Sequence, residues 1–411
     1  MKIMKKVLFT GFWATRRDES RPPWSSTARR RSASVIVRFV GDVVAVLIFP
    51  LNYFCLAFGF SFSQDKTHTS YVDVNYFQGN IALHNNEILH LIKGHPEGFI
   101  LGWNKKTFGF KDWEQRYNYP DYGFSLAYQN MKNDVLGNNF SLYAHYNFYF
   151  LKRNLMFRIG QGMAHNTNPY NRETNFKNVA FGSKFGSSTF VMLNFKKEHI
   201  FDKFGLQAGF SLIHYSNANV KSPNNGTNSI TYNVGVTYSL DDEDLEYQYT
   251  IDKKQDQVFS EPIKYNFAFR TGINESDIFG SGQYAMYVLS AYADKRINKS
   301  SALQLGTDVF FSNFLKEFIY YRSVAFPNQG VSGDEDHKRI GIFAGHELFL
   351  NKTSLITQLG YYVYYPFDFE GRTYVRIGLK RYFAKKWFGA LTLKSHGAKA
   401  EGVEFGVGVR L

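Results

Sequence analysis

Residues 206–240 read LQAGFSLIHYSNANVKSPNNGTNSITYNVGVTYSL, two runs of alternating apolar and polar residues on either side of a polar segment. Alternation with a period of two is typical of a β-strand that has one apolar face and one polar face. The central segment is rich in Asn, Pro and Gly, which favour turns. The stretch therefore predicts two antiparallel strands joined by a polar loop.

The same alternation continues along the chain to its C-terminus. There, Val403, Phe405 and Val407 alternate with Glu404 and Gly406. A strand with an apolar face opposite a charged or glycine face fits a sheet that has lipid on one side and packed polar groups on the other. A strand that runs to the last residue is also typical of barrels that are closed by their final strand.

The composition favours a barrel over a bundle of membrane-spanning helices. Aromatic residues make up 18% of the 411 residues and charged residues 20%, while the mean hydropathy is −0.32. A helical membrane protein would show several apolar runs of about 20 residues, and only residues 43–62 form such a run. The fold class predicted is all-β, a transmembrane antiparallel up-and-down β-barrel of about 12–16 strands.

Sixteen segments of the chain alternate clearly enough to be candidate strands, and we interpret residues 64–411 as a single outer-membrane barrel. Twelve or fourteen strands also fit, because an even number is expected of a closed bacterial barrel. The acidic residues 241–244 and the polar stretch to about residue 262 divide the strands into two sets. We interpret this stretch as a solvated loop, since the alternation simply resumes after it.

Residues 1–63 have the features of a secretory signal or targeting segment. Arg29–Arg31 provide positive charge, residues 43–60 provide an apolar core, and Ser61–Ser63 provide small residues before Gln64. The sequence therefore predicts a mature chain that begins near Gln64 and is integral to the bacterial outer membrane. An uncleaved N-terminal anchor is the alternative.

Charge and cysteine content restrict the partners and cofactors that we expect. The net charge is +13, but more than half of the excess lies in residues 1–63, so we expect no nucleic-acid partner. Cys55 is the only cysteine, which excludes an intramolecular disulfide and a cysteine metal cluster. We expect no metal or other cofactor.

Three polar residues share the parity of the apolar strand face in residues 206–240. His214 and Ser216 continue the face of Leu206 and Phe210, and Asn228 continues the corresponding face of the next strand. A serine hydroxyl is a weak nucleophile until an adjacent base accepts its proton, and a third group usually orients that base. The alternative from spacing alone is a rim loop with a histidine that reaches the membrane interface.

The string HYSNANVKSPNNGTN resembles the active-site signature of the lipid A 3-O-deacylase family, which is PagL-like and is grouped with acyloxyacyl hydrolase sequences. Members of that family are outer-membrane barrels that carry an H-x-S-N…P-N-x-G motif on adjacent strands. The resemblance spans roughly residues 70–240, and residues 241–411 have no counterpart in the short eight-stranded members. The matching residues are His214, Ser216, Asn217, Pro223, Asn224 and Gly226.

The resemblance implies roles for five residues of this chain. Ser216 would be the nucleophile that attacks the ester at the 3-position of lipid A, and His214 would be its general base. Asn217 and Asn224 would be candidates to stabilise the oxyanion. The third catalytic residue of the family is a glutamate fourteen residues after the histidine, where this chain has Asn228. Because a neutral amide cannot stabilise an imidazolium with a full charge, we expect slower chemistry or none.

The function expected is therefore that of an outer-membrane serine esterase that removes an ester-linked acyl chain from lipid A of lipopolysaccharide. Its partners would be lipopolysaccharide and the lipids of the outer membrane. The alternative is a barrel without enzymatic activity. Such a barrel could be a pore or transporter with a wide lumen, or a lipid-binding remnant in which Asn228 marks the loss of the triad.

Overall fold

In the residues that it describes, the computed structural model has sixteen β-strands, which confirms the all-β barrel class and the number of strands. No helix in the described part of the chain is long and apolar enough to cross a membrane. The proposed signal or targeting segment, residues 1–63, lies outside the described residues. The structure describes residues 67–242, 245–250, 259, 261–384, 386–397 and 399–411.

The first eight strands form one closed antiparallel barrel. Each strand pairs with its neighbours in sequence, and β8 pairs with β1, with Val236 opposite Val74. The strands are β1 (His68–Ile81), β2 (Glu97–Thr107), β3 (Asp121–Asn130), β4 (Asn138–Phe150), β5 (Leu155–Asn166), β6 (Phe185–Phe201), β7 (Phe204–Ser216) and β8 (Thr227–Ser239).

The last eight strands form a second closed antiparallel barrel. It is closed by the C-terminal strand β16, which pairs with β9 and places Val407 opposite Phe269. The strands are β9 (Lys264–Glu275), β10 (Gln283–Asn298), β11 (Ser301–Ser312), β12 (Lys338–Leu350), β13 (Thr353–Tyr364), β14 (Thr373–Tyr382), β15 (Trp387–His396) and β16 (Lys399–Arg410).

The prediction that residues 64–411 form a single barrel is wrong. The polar stretch after β8 connects two barrels, each closed on itself, and is not a loop within one sheet of sixteen strands. Alternation reports which face of a strand meets lipid, but it is the same whether β8 pairs with β9 or returns to β1. The closing partner is a long-range contact, and the sequence pattern of a single strand does not contain it.

The helices of the described residues are short and lie in connections between strands. In the first barrel they are α1 (Asp112–Arg116) and a 3₁₀ helix over Asn86–Leu91. In the second barrel, α2 (Asn313–Ala325) and a 3₁₀ helix over Pro327–Gln329 follow β11. Helix α2 buries Phe314, Leu315 and Ile319 in a cluster with Phe367, so it covers the rim of the barrel next to β10.

Apolar side chains face outward from the first barrel, and polar side chains fill it. Along β7, Leu206 and Phe210 are exposed by 52% and 68%, whereas Gln207 and Ser211 are buried. In the interior, Arg158 forms a bidentate ion pair with Asp73 at 2.9 and 2.7 Å. An outward apolar band with an inward polar core is the arrangement of a membrane barrel.

The second barrel is also filled by buried ion pairs. Arg376 lies 2.7 Å from Asp308 and 2.6 Å from Glu404, and Lys380 lies 3.1 Å from Glu347. All five side chains are fully buried. An eight-stranded barrel is just wide enough for its side chains to fill. The wide lumen that a single barrel of sixteen strands would enclose is therefore replaced by two packed interiors.

Candidate active site

The candidate site lies at the end of the first barrel where β7 ends and β8 begins. We call this end the site rim. It is formed by the connections at residues 82–96, 131–137, 167–184 and 217–226. Loop 217–226 connects the two strands that carry His214 and Asn228, so the antiparallel hairpin brings its two ends together.

His214 and Asn228 are direct partners across the two strands. Both have the parity of the outward-facing Phe210 and Ile230, yet only 8% of His214 and 4% of Asn228 is exposed. Nδ1 of His214 lies 2.7 Å from Oδ1 of Asn228. Because an amide oxygen only accepts, His214 donates through Nδ1–H, and its Nε2 is left as a proton acceptor.

Ser216 lies on the same strand, two residues after His214, and is partly buried. Its Oγ donates to Oδ1 of Asn224 at 3.1 Å and accepts from Nδ2 of the same residue at 3.0 Å and from the backbone N–H of Ala218 at 3.0 Å. The hydrogen bonds found in the described part of the chain include none between the side chains of Ser216 and His214. The hydroxyl is thus held by Asn224, and catalytic hydrogen bonds often tighten only when substrate binds.

Gly226 keeps the space between the two candidate catalytic residues open. Its φ of +63° is in the left-handed region, and a Cβ there would lie 2.5 Å from the backbone oxygen of Tyr215. The same Cβ would lie 3.5 Å from Cε1 of His214 and 3.5 Å from Cβ of Ser216. A glycine is therefore required both by the backbone conformation and by the close approach of the loop to the end of β7.

The structure distinguishes the two asparagines that are candidates for the oxyanion. The amide of Asn224 is at Ser216, and its Oδ1 also accepts from the backbone N–H of Asn217 at 2.7 Å. The side-chain amide of Asn217 instead donates to the Lys221 carbonyl at 2.7 Å and to Ser183 Oγ at 3.1 Å. Asn217 thus holds the loop, and Asn224 is the asparagine whose side-chain amide contacts Ser216 Oγ.

Three polar residues that our sequence interpretation missed lie beside the site on the neighbouring strands. Ser187 and Thr189 of β6 are the direct partners of Ser216 and His214. Gln161 of β5 donates to Ser187 Oγ at 2.7 Å and accepts from Thr189. All three are buried, although they have outward parity. The signal was present in the polar outward positions of β6, but their proximity to His214 depends on the register between strands.

An open groove of about 580 Å³ crosses the outer wall of the first barrel near the site rim. The strand register relates the groove to Ser216. Met163, which lines the groove, pairs with Ser187 on β6, and Ser187 pairs with Ser216 on β7. Its size is in the range of small-molecule sites. The outward side chains that line it include Phe99, Leu101, Leu126, Phe140, Leu142 and Met163.

The described residues contain no group of three or more His, Cys, Asp or Glu side chains that could hold a metal ion. The functional groups at the site are the Ser216 hydroxyl, the His214 imidazole and asparagine amides. A candidate nucleophile, a candidate base with its hydrogen-bond partner and a candidate oxyanion donor lie within one hairpin. This arrangement can support acyl transfer.

Comparison with protein families gives two matches that together cover most of the chain. Residues 97–237 match the model described as "Lipid A 3-O-deacylase (PagL)". Residues 263–411 match the model described as "Acyloxyacyl hydrolase, C-terminal domain". The two matched regions correspond closely to the first and the second barrel.

Comparison with individual proteins adds little. No curated protein matches the chain. Among solved structures, a mutant of the Rh. blastica porin is 10% identical, covering 84% of this chain and 100% of the porin, with a TM-score of 0.16. A triple mutant of the Rhodopseudomonas blastica porin is 9% identical with the same coverage and the same TM-score.

Proposed function

This chain belongs to the lipid A 3-O-deacylase (PagL) family, and from that membership we propose that it is a serine esterase that removes an ester-linked acyl chain from lipid A of lipopolysaccharide. The observation that carries the proposal is the 2.7 Å hydrogen bond between His214 and Asn228 beside Ser216. This bond orients the imidazole with Nε2 as the proton acceptor, on the strand that carries the serine.

The proposed reaction has two stages. Ser216 Oγ attacks the ester carbonyl carbon while its proton passes to Nε2 of His214, and the tetrahedral intermediate then collapses. The bond to the sugar oxygen breaks, and His214 returns the proton to that oxygen. Water then attacks the acyl–Ser216 ester and gives a proton to His214. The bond between the acyl carbon and Ser216 Oγ then breaks, His214 gives the proton to Ser216 Oγ, and the fatty acid leaves.

Asn224 is the residue that we propose as the oxyanion donor. Its Nδ2 lies 3.0 Å from Ser216 Oγ, so it is close to the atom from which the tetrahedral intermediate grows. A preorganised donor at this place contributes most when the charge develops, and removal of one such donor typically lowers kcat by about 10²–10³-fold. Asn217 supports the same step by donating its backbone N–H to the Asn224 amide oxygen.

Asn228 in place of an acid lowers the expected rate without removing the geometry. The amide oxygen holds His214 in the tautomer that a base requires, because it accepts from Nδ1–H. It offers no negative charge to the imidazolium that forms when Ser216 is deprotonated. With the Asn228 amide rotated by 180°, its Nδ2–H would donate to Nδ1 of His214. That arrangement would favour the tautomer with the proton on Nε2, which cannot accept the proton of Ser216. We therefore propose a slow enzyme.

The groove on the outer wall is suited to an acyl chain of the substrate. Its lining is aromatic and aliphatic, and strand β6 separates Met163 in this lining from Ser216. Lipid A occupies the outer leaflet, so its esters would approach the barrel from outside, at the level of the site rim. The proposal therefore places both barrels in the bacterial outer membrane with the site rim on the extracellular side.

The two alternatives have different support. Both barrel interiors are filled by buried ion pairs such as Arg158–Asp73 and Arg376–Asp308, which argues against a pore. A lipid-binding remnant is favoured by Asn228 and by the engagement of Ser216 with Asn224. The esterase and the lipid-binding remnant can be distinguished by experiment, because only an esterase releases fatty acid.

The test is the release of fatty acid from purified lipopolysaccharide by the purified full-length protein in detergent. We expect release by the wild type and none by Ser216→Ala or His214→Ala. Thr307→Ala, on the second barrel, is the control and should retain the wild-type rate. Equal release by the wild type and by Ser216→Ala would exclude Ser216 as the nucleophile, and no release by any variant would favour the remnant.

A further inference from the structure

The second barrel holds the loop that carries the candidate oxyanion donor. Within loop 217–226, the backbone N–H of Ser222 donates to Oε2 of Glu275 at 2.9 Å, and Ser222 Oγ donates to the Ser276 carbonyl at 2.6 Å. The backbone N–H of Glu275 donates to the Asn219 carbonyl at 2.9 Å. The loop of one barrel is thus bonded directly to the end of strand β9 in the other.

Two further contacts join the loop to the second barrel. Nε2 of Gln283, at the start of β10, donates to the Val220 carbonyl at 2.7 Å. Ala218 is buried in an apolar cluster with Leu391 and Val403, which have the outward parity of their strands. Residues 218–222 are therefore fixed by the second barrel through polar and apolar contacts together.

The first barrel holds the other end of the same loop. The backbone N–H groups of Asn225 and Gly226 donate to the carbonyls of Val179 and Ala180, at 3.2 and 3.0 Å. Asn224, whose amide bonds to Ser216, lies between these two sets of anchors. Its position consequently depends on both barrels.

Glu275 is the central residue of the anchor on the second barrel. Only 4% of it is exposed, and no described residue forms an ion pair with it. A buried carboxylate without a cation is costly unless hydrogen-bond donors satisfy it. Here the donors are the backbone N–H of Ser222 and, at 3.4 Å, that of Gly282.

We propose that Glu275 is a positioning residue for the ester hydrolysis, because it holds Ser222 so that Asn224, two residues further along, stays on Ser216. The inference rests on the proposed function and assigns the second barrel a part in it. The effect passes from Glu275 to Ser222, along the loop to Asn224, and from its amide to the nucleophile. A misplacement of about 1 Å at a reacting group can lower the rate by about 10²-fold.

The experiment compares full-length Glu275→Ala and Glu275→Gln with the wild type in the lipopolysaccharide assay. We expect Glu275→Ala to lower kcat by about 10-fold or more with KM within about twofold, because the nucleophile is affected and the groove is not. Glu275→Gln keeps an oxygen that can accept from Ser222, so its kcat should stay within about threefold of the wild type. Glu317→Ala, an exposed glutamate on α2, is the matched control.

A second readout follows the loop itself. Lys221 is exposed and precedes Ser222, so trypsin should cleave after Lys221 faster in Glu275→Ala than in the wild type or Glu275→Gln. Gln283→Ala removes an exposed side chain that contacts the same loop, and it provides a milder variant if Glu275→Ala does not fold. Like Glu275→Ala, Gln283→Ala should raise the rate of cleavage after Lys221 and lower kcat.

A third readout separates this inference from the proposed function. A fluorophosphonate phosphonylates the Ser216 oxygen with release of fluoride and of the hydroxyl proton, without any lipid substrate. If the wild type releases no fatty acid, the proposed function fails, and slower labelling of Glu275→Ala than of the wild type still supports the positioning role. The positioning role would be overturned if Glu275→Ala and Gln283→Ala both had the kcat, the rate of tryptic cleavage and the rate of labelling of the wild type.

Discussion

His214 and Asn228 face each other across β7 and β8, with 2.7 Å between Nδ1 of the imidazole and Oδ1 of the amide. The register of the hairpin fixes this pair, since the two residues are direct cross-strand partners. The consequence is an oriented imidazole whose hydrogen-bond partner carries no charge. Most of the behaviour that we expect of the protein follows from that combination.

Asn228→Glu should increase the rate of ester hydrolysis. A carboxylate at this position would accept the same hydrogen bond from His214 and would stabilise its imidazolium, so we expect kcat to rise by about 10- to 100-fold. Asn228→Gln has the same length without the charge and should not exceed the wild type. Steady-state release of fatty acid measures the change, and a rate for Asn228→Glu no higher than that of Asn228→Gln would contradict the role of the residue.

Asn224→Ala should lower kcat by about 10²-fold, with a smaller change in KM, because the donor acts chiefly when charge develops on the oxyanion. The measurement is the same assay over a range of lipopolysaccharide concentrations. Asn154→Ala, at the opposite end of the barrel, is the control. A wild-type kcat in Asn224→Ala would show that the oxyanion is stabilised elsewhere.

Gly226→Ala should lower both activity and stability. A left-handed backbone costs a residue with a Cβ about 1–2 kcal/mol, and this Cβ would also lie 2.5 Å from the Tyr215 carbonyl. Gly330→Ala provides the comparison, because its φ is +72° and nothing lies within 4 Å of the added Cβ. We expect Gly226→Ala to have a lower Tm than Gly330→Ala and a much lower kcat. Equal values for the two variants would show that the site tolerates a side chain there.

The first barrel should fold without the second. It is closed by the pairing of β1 with β8, so a chain that ends at residue 242 retains every strand pair of that barrel. We expect this shortened chain to show heat-modifiable migration in detergent, as folded barrels do, and weaker activity because the anchor at Glu275 is missing. A shortened chain that never becomes heat-modifiable would contradict independent closure.

The sequence predicted the strands well and their closure badly. Alternation such as Val403, Phe405 and Val407 reports a local property, the face that meets lipid, and sixteen strands were correctly identified. The pairing of β8 with β1 is a contact between residues far apart in sequence. Nothing in the pattern of either strand distinguishes it from pairing with β9.

The candidate site was predictable where it depends on one hairpin. The parity of His214 and Asn228 and the motif placed them together, and the strand register has them as direct partners. Ser187 and Thr189 were missed because their proximity depends on the register between β6 and β7. The bond between Ser222 and Glu275 joins two barrels, so no pattern within either barrel could have indicated it.

The most direct test of the central claim is mass spectrometry of lipid A from cells that produce lipopolysaccharide and express this protein. We expect the wild type, and more strongly Asn228→Glu, to convert lipid A to a species that lacks one ester-linked hydroxyacyl chain. Ser216→Ala, present at the same level in the membrane, should leave lipid A intact. Unchanged lipid A with both the wild type and Asn228→Glu, or the same loss with Ser216→Ala, would contradict the account.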